Sequence, residues 1–180
     1  KRFQANRGMK EDGVAGTSTI RVLFGSSGAS SDSASSGSDS TSTKTYKTEV
    51  LDWFADNVTN VIPKKAKFTI KDVRTGKTFK AVRWSGINHL DAEPATAEDT
   101  AIMKKIYGGA WSWNRRPILI LYNGHVYAAS MNGMPHGTTT IDNDFDGHFC
   151  IHFKNSKTHG TLVVDPDHQK AVAVAAKASW

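Results

Sequence analysis

Gly147-His148-Phe149-Cys150-Ile151-His152-Phe153 contains the only cysteine of the chain and two of its seven histidines. The Phe and Ile content favours a pleated strand. Its period of two then puts His148, Cys150 and His152 on one face and Phe149, Ile151 and Phe153 on the other. One face asks for burial in a sheet core, and the other presents reactive groups. Two more histidines lie close in sequence, His136 in Met134-Pro135-His136-Gly137-Thr138 and His159 in Thr158-His159-Gly160.

Working outward, the neighbouring segments read as hairpins and short helices. Lys67 to Val73 and Thr78 to Trp84 alternate around the turn Arg74-Thr75-Gly76-Lys77, which predicts a β-hairpin with one buried face. Pro117 to Tyr122 and His125 to Met131 flank Asn123-Gly124, a strong signal for a two-residue hairpin turn. Thr96 followed by Asp99 resembles a capping box ahead of a helix that closes at Gly108-Gly109. Helical spacing of Val50, Trp53, Phe54 and Val58 predicts an amphipathic helix over Glu49 to Val58, and Asp165 to Ser179, with Pro166 in the first turn, predicts another. His125, just after the hairpin turn, and His168, in the last helix, read as ordinary surface residues. Hairpins in place of crossovers point to an α+β fold, a mainly antiparallel β-sheet domain with a few packed helices.

This domain spans 44–180. Ahead of it, residues 25–43 are almost entirely Ser, Gly, Ala, Asp and Thr, so they lack the apolar side chains needed to offset ordering entropy and read as a flexible linker. Residues 1–24 read as a small helical fragment with a turn at Asp12-Gly13. The chain opens on Lys1 within what looks like a divided motif, so it reads as part of a longer protein.

Composition narrows the partners. Twenty-three Lys+Arg against 17 Asp+Glu give a net charge of +6, which suits an anionic partner such as a bacterial wall. The basic residues are scattered without a run of five, which argues against nucleic acid. The longest apolar run, Pro117 to Tyr122, falls far short of the roughly 20 residues of a transmembrane helix. A lone cysteine excludes an intrachain disulfide and leaves Cys150 as packing, metal ligand or working thiol. Its two same-face histidines favour the thiol, since an imidazole can take the thiol proton or hold a thiolate.

Two resemblances extend this reading. Phe3-Gln4, the glycine at Gly8, Asp12-Gly13-Val14-Ala15-Gly16 and Thr17 resemble the C-terminal part of a three-helix peptidoglycan-binding domain. His136-Gly137-Thr138 followed by Gly147-His148-Phe149-Cys150-Ile151-His152 resembles the YkuD-type L,D-transpeptidase family, which carries His-Gly-Thr and then Ser/Thr-His-Gly-Cys-hydrophobic-Arg. Gly147, Phe149 and His152 stand where that family has a hydroxyl residue, glycine and arginine. The resemblance implies Cys150 as nucleophile, His136 as its base and His148 as either a supporting group behind them or an oxyanion-side group. It further implies peptidoglycan stem peptides as substrate, a secreted, wall-associated enzyme, and no cofactor. His152, His159, Trp111, Trp113 and Arg115 are the expected substrate-binding residues, the tryptophans offering indoles to a glycan.

Two alternatives stay open. Histidines 136, 148, 152 and 159 with the cluster His89-Leu90-Asp91-Ala92-Glu93 could supply a zinc peptidase, although His148 and His152 on one strand stand about 13 Å apart. A non-catalytic wall-binding protein is the other. Asp142-Asn143-Asp144-Phe145-Asp146-Gly147 matches the opening of a calcium loop but has Phe153 at its twelfth position, so it reads as a solvated loop.

Overall fold

The computed structural model describes residues 46–180. The expectations for residues 1–24 and the linker at 25–43 lie outside the described residues. Among the described residues there are seven strands: β1 (Thr48–Glu49), β2 (Lys67–Asp72), β3 (Thr78–Ser85), β4 (Leu90–Pro94), β5 (Arg116–Tyr122), β6 (His125–Met131) and β7 (Phe149–His152). Three helices accompany them among the described residues, α1 (Val58–Val61), α2 (Ala97–Ile106) and α3 (Pro166–Ala175). None of them is long and apolar enough to cross a membrane.

The sheet runs β1-β6-β5-β2-β3-β4-β7, and β7 also pairs with β6. That extra pairing closes six antiparallel strands into a barrel. One edge of β6 is shared, with β1 parallel at Val126 and Tyr127 and β7 antiparallel at Ser130 and Met131. Both predicted hairpins are present. Asn123 and Gly124 both adopt positive φ, 48° and 81°, as a two-residue turn matched to strand twist requires. At the other turn, the Asp72 carboxylate accepts from the Thr75 N–H and hydroxyl and takes both bonds of the Arg116 guanidinium fork. Thr96 caps α2 by accepting from Asp99 N–H and donating its hydroxyl to the Asp99 carboxylate.

Inward-facing residues such as Ile70, Phe79, Ala92, Ile120, Phe149 and Ile151 belong to one buried apolar cluster. Outside the barrel, α3 lays Ala175 over Leu119, Val126 and Ala128. Phe149 is fully buried and its ring lies 6.1 Å from Phe79 and 6.0 Å from Phe145.

Two expectations are corrected. Glu49 to Val58 is not a helix: β1 ends at Glu49, turns follow, and α1 begins only at Val58. The Asp52 carboxylate accepts from the N–H groups of Phe54 and Ala55, and such local side-chain bonds compete with the helical ladder. Trp53 and Val58 are buried, while Val50 and Phe54 stay exposed. His168 is no surface residue; it is 1% exposed, and its Nδ1 lies 2.8 Å from the Ser130 hydroxyl on β6.

Because Phe149 fills the barrel, its truncation to alanine is expected to cost about 3–5 kcal/mol. Urea unfolding should show a lowered midpoint with an unchanged slope. A loss under about 1 kcal/mol would contradict the placement of this ring in the core.

Candidate active site

The face of β7 opposite Phe149 carries the chemistry. Cys150 stands directly across from Asp91 of β4 in the antiparallel register. Alternation along β4 sends Leu90 and Ala92 into the barrel core and His89, Asp91 and Glu93 to the outer face, where all three are buried. Glu93 anchors the loop after β6. Its carboxylate accepts from the N–H groups of Thr140 and Ile141 and from the Thr140 hydroxyl. Asn143 fastens the same loop by donating to Pro94 O and accepting from the Thr100 hydroxyl, so the calcium-like stretch serves as an anchor.

That loop brings His136 back to the strand. His136 N–H donates to His148 O at 3.1 Å, and His148 N–H donates to His136 O at 2.9 Å. Glycines make this close approach possible. A Cβ on Gly147, at φ 124°, would lie 2.4 Å from His136 O, and one on Gly137, at φ 72°, would lie 2.4 Å from the His148 ring. Each histidine is therefore seated by the glycine beside the other.

Around the sulfur, His136 Nε2 lies at 3.3 Å, His159 Nδ1 at 4.0 Å and Asp91 Oδ1 at 4.0 Å. The other ring nitrogen of His136, Nδ1, is 2.8 Å from Met134 O. A carbonyl can only accept, so Nδ1 carries a hydrogen and Nε2 is the nitrogen turned to the thiol. Cys150 is 4% exposed. Burial pushes its pKa up, but the imidazoles of His136, His152, His159 and His89 outweigh burial and hold the thiol well below its ordinary range. His136 is raised above its usual value, first by its bond to Cys150, against the opposing effect of burial. The two shifts favour the form in which the shared proton lies on the ring, as imidazolium, and the sulfur is a thiolate.

Two neighbouring histidines, His89 and His148, are shifted in opposite directions. Burial pulls His89 down, yet the Asp91 carboxylate and the Cys150 thiolate prevail and raise it to about 10. Burial lowers His148, and its two ring nitrogens have no hydrogen-bond partner in the protein. The His148 ring stacks on Trp84 at 4.7 Å.

The other sequence-predicted residues separate. His159 joins the site on a loop, its side chain half exposed. His152 lies buried between the rings of His89 at 4.5 Å and His168 at 3.7 Å, with Nδ1 3.0 Å from Ser156 Oγ. Trp113 is half exposed with its ring 5.1 Å from that of His136. Trp111 packs edge-on against Phe145, under Lys104. Arg115 pairs with Asp165 at 2.6 Å, at the start of α3. Asp91 and His89, whose strand alternation was readable in Leu90-Asp91-Ala92-Glu93, are the functional candidates that the sequence reading left without a role beside the thiol.

Comparison of the chain with family models, with curated proteins and with solved structures gave no match.

A thiolate held by imidazoles should react at low pH. In chelator-treated protein, the iodoacetamide alkylation rate at Cys150 is expected to stay on its plateau well below the ordinary thiol pKa of about 8.5. It should decline only as pH falls through the lowered folded value. His136→Ala should move that decline upward, and a wild-type curve centred near 8.5 would contradict the paired state.

Proposed function

We propose that this domain is a cysteine acyl-transfer enzyme of the L,D-transpeptidase type, acting on peptidoglycan stem peptides. The single observation that carries the reading is the 3.3 Å approach of His136 Nε2 to Cys150 Sγ, with the ring fixed from behind through Nδ1. A nucleophile, a base within reach and a third group orienting the base make up the constellation that covalent acyl transfer needs.

In this reading the Cys150 thiolate attacks a stem-peptide carbonyl carbon, and a C–S bond forms while the carbonyl π electrons move to oxygen. His148 stands on the oxyanion side, offering a ring N–H that the protein leaves unpaired. As the tetrahedral species collapses, the C–N bond breaks and His136 passes its proton to the departing amine, leaving a thioester. An amine of a second stem then attacks, His136 takes its proton, and the thiolate departs to leave a cross-link. Water in that role gives a trimmed peptide.

Phe149, where the family has glycine, turns its side chain into the barrel, away from the face that carries the sulfur. A groove of about 420 Å³ lined by Lys64, Lys65, Val82, Trp84 and Ile141 lies beside His148 through Trp84. Arg83 and Glu93 line it as well, the Glu93 carboxylate already taken up by Thr140 and Ile141, so its apolar walls and cationic balance suit a stem peptide bearing carboxylates. Half-exposed Trp113 beside His136 offers a stacking surface for a sugar. A secreted, wall-associated setting belongs to the same proposal.

Incubation with muropeptides should yield an acyl adduct on Cys150, visible by mass spectrometry and absent in Cys150→Ala. His136→Ala should slow its formation by about 10²–10⁴-fold. Products that Cys150→Ala leaves unchanged, or sacculus binding without any adduct, would sink the proposal.

A further inference from the structure

The side of Cys150 away from His136 carries a second constellation. One ligand atom each from His89, Asp91, Cys150 and His159 lie within 4.8 Å of one another. Three of these residues are buried and the fourth, His159, is exposed. Tetrahedral zinc, with bonds of about 2.0–2.3 Å, sets its ligand atoms about 3.2–3.8 Å apart. The separations come near this: Asp91 Oδ1 lies 3.1 Å from His89 Nε2 and 4.0 Å from Cys150 Sγ, and the second oxygen of the same carboxylate, Oδ2, lies 3.6 Å from His159 Nε2.

His89 supplies an independent sign of a ligand. It is 1% exposed, and its Nε2 meets Asp91 Oδ1 by charge at 3.1 Å but off the direction a hydrogen bond needs, so this buried nitrogen has no hydrogen-bond partner. Its Nδ1 lies 2.6 Å from Lys157 O. A metal-bound imidazole commonly has this arrangement, one nitrogen donating to a carbonyl and the other turned to the ion. The same loop that supplies Lys157 O supplies His159, so one segment both orients the buried ligand and provides the exposed one.

The donor set fixes the class of ion. A thiolate and two imidazoles, beside one harder carboxylate, select zinc-like transition metals over calcium or magnesium. Their two negative charges balance a divalent cation in a buried place. Four protein ligands make a closed shell, whereas catalytic zinc keeps a position open for water.

We propose that His89, Asp91, Cys150 and His159 form a closed site for one zinc-like divalent ion, and that occupation silences Cys150 by converting it from nucleophile to ligand. The silencing rests on the reading of Cys150 as nucleophile; the binding does not. The ion takes the position between His89 Nε2 and Asp91, and His159, at the surface, is the ligand through which it enters and leaves. His136 and His148 remain outside the shell.

Zinc titration of the metal-free domain against a chromophoric chelator tests the site, with cobalt(II) as spectroscopic probe. One ion per chain is expected, with a thiolate-to-cobalt charge-transfer band that Cys150→Ser abolishes. His89→Gln should weaken zinc by more than the 10–100-fold that loss of an outer-shell partner costs. Should His89→Gln fail to fold, His159→Gln at the surface tests the same shell and should weaken zinc at least about tenfold. His125→Gln, at the turn between β5 and β6 and paired there with Glu49, should bind as the wild type does. In the wild type, stoichiometric zinc should block iodoacetamide alkylation of Cys150, and chelator should restore it. Absence of stoichiometric binding, a cobalt complex without the thiolate band, or a His159→Gln protein that binds zinc as tightly as the wild type would each overturn the site. None of these readouts involves muropeptides, so failure of acyl transfer and failure of metal binding are separately visible.

Discussion

The pairing of β7 with both β4 and β6 is the constraint on which the rest depends. It closes the barrel, and because strand alternation is strict, it places Phe149 and Ile151 in the core while Cys150 faces outward beside Asp91. A slip of one residue would exchange the two sets. The large apolar groups on one face therefore hold the reactive ones on the other. Fold stability and the position of the sulfur have one cause.

On the outer face, the groups around the thiol are held from several directions. His136 arrives on a loop anchored by Glu93 and Asn143, Asp91 comes from β4, and His159 comes from the loop beyond β7. Burial and contacts shift the buried imidazoles in opposite directions. His168, packed against Ser130 and stacked on His152, is pulled down to about 2, first by burial and then by the neighbouring His152 and Arg115. His136, next to sulfur, is drawn the other way. The same thiolate that serves as nucleophile in one state is a suitable ligand for a soft cation in another.

Local chemistry explains which features could be read from the sequence. Asn123-Gly124, the Thr96-Asp99 cap and the alternation of residues 147–153 each depend on neighbours within a few positions, and each is found as read. Barrel closure was not legible, since the pairing of Met131 with Ile151 joins distant segments without a sequence signal. Asp91 and His89 were visible only as part of an acidic cluster, because their role depends on β4 lying beside β7. Helical spacing at Glu49 to Val58 misled for a local reason, the Asp52 turn. His168 misled for a tertiary one, since an alanine-rich helix gives no sign of which face meets β6.

The central claim is that Cys150 and His136 share a single proton as thiolate and imidazolium. Nitrogen-15 NMR of the His136 ring in metal-free protein reads this directly. The account predicts both ring nitrogens protonated at neutral pH in the wild type, and in Cys150→Ser a neutral ring with hydrogen on Nδ1 alone. A neutral His136 in the wild type, or one whose titration is the same in both proteins, would contradict it.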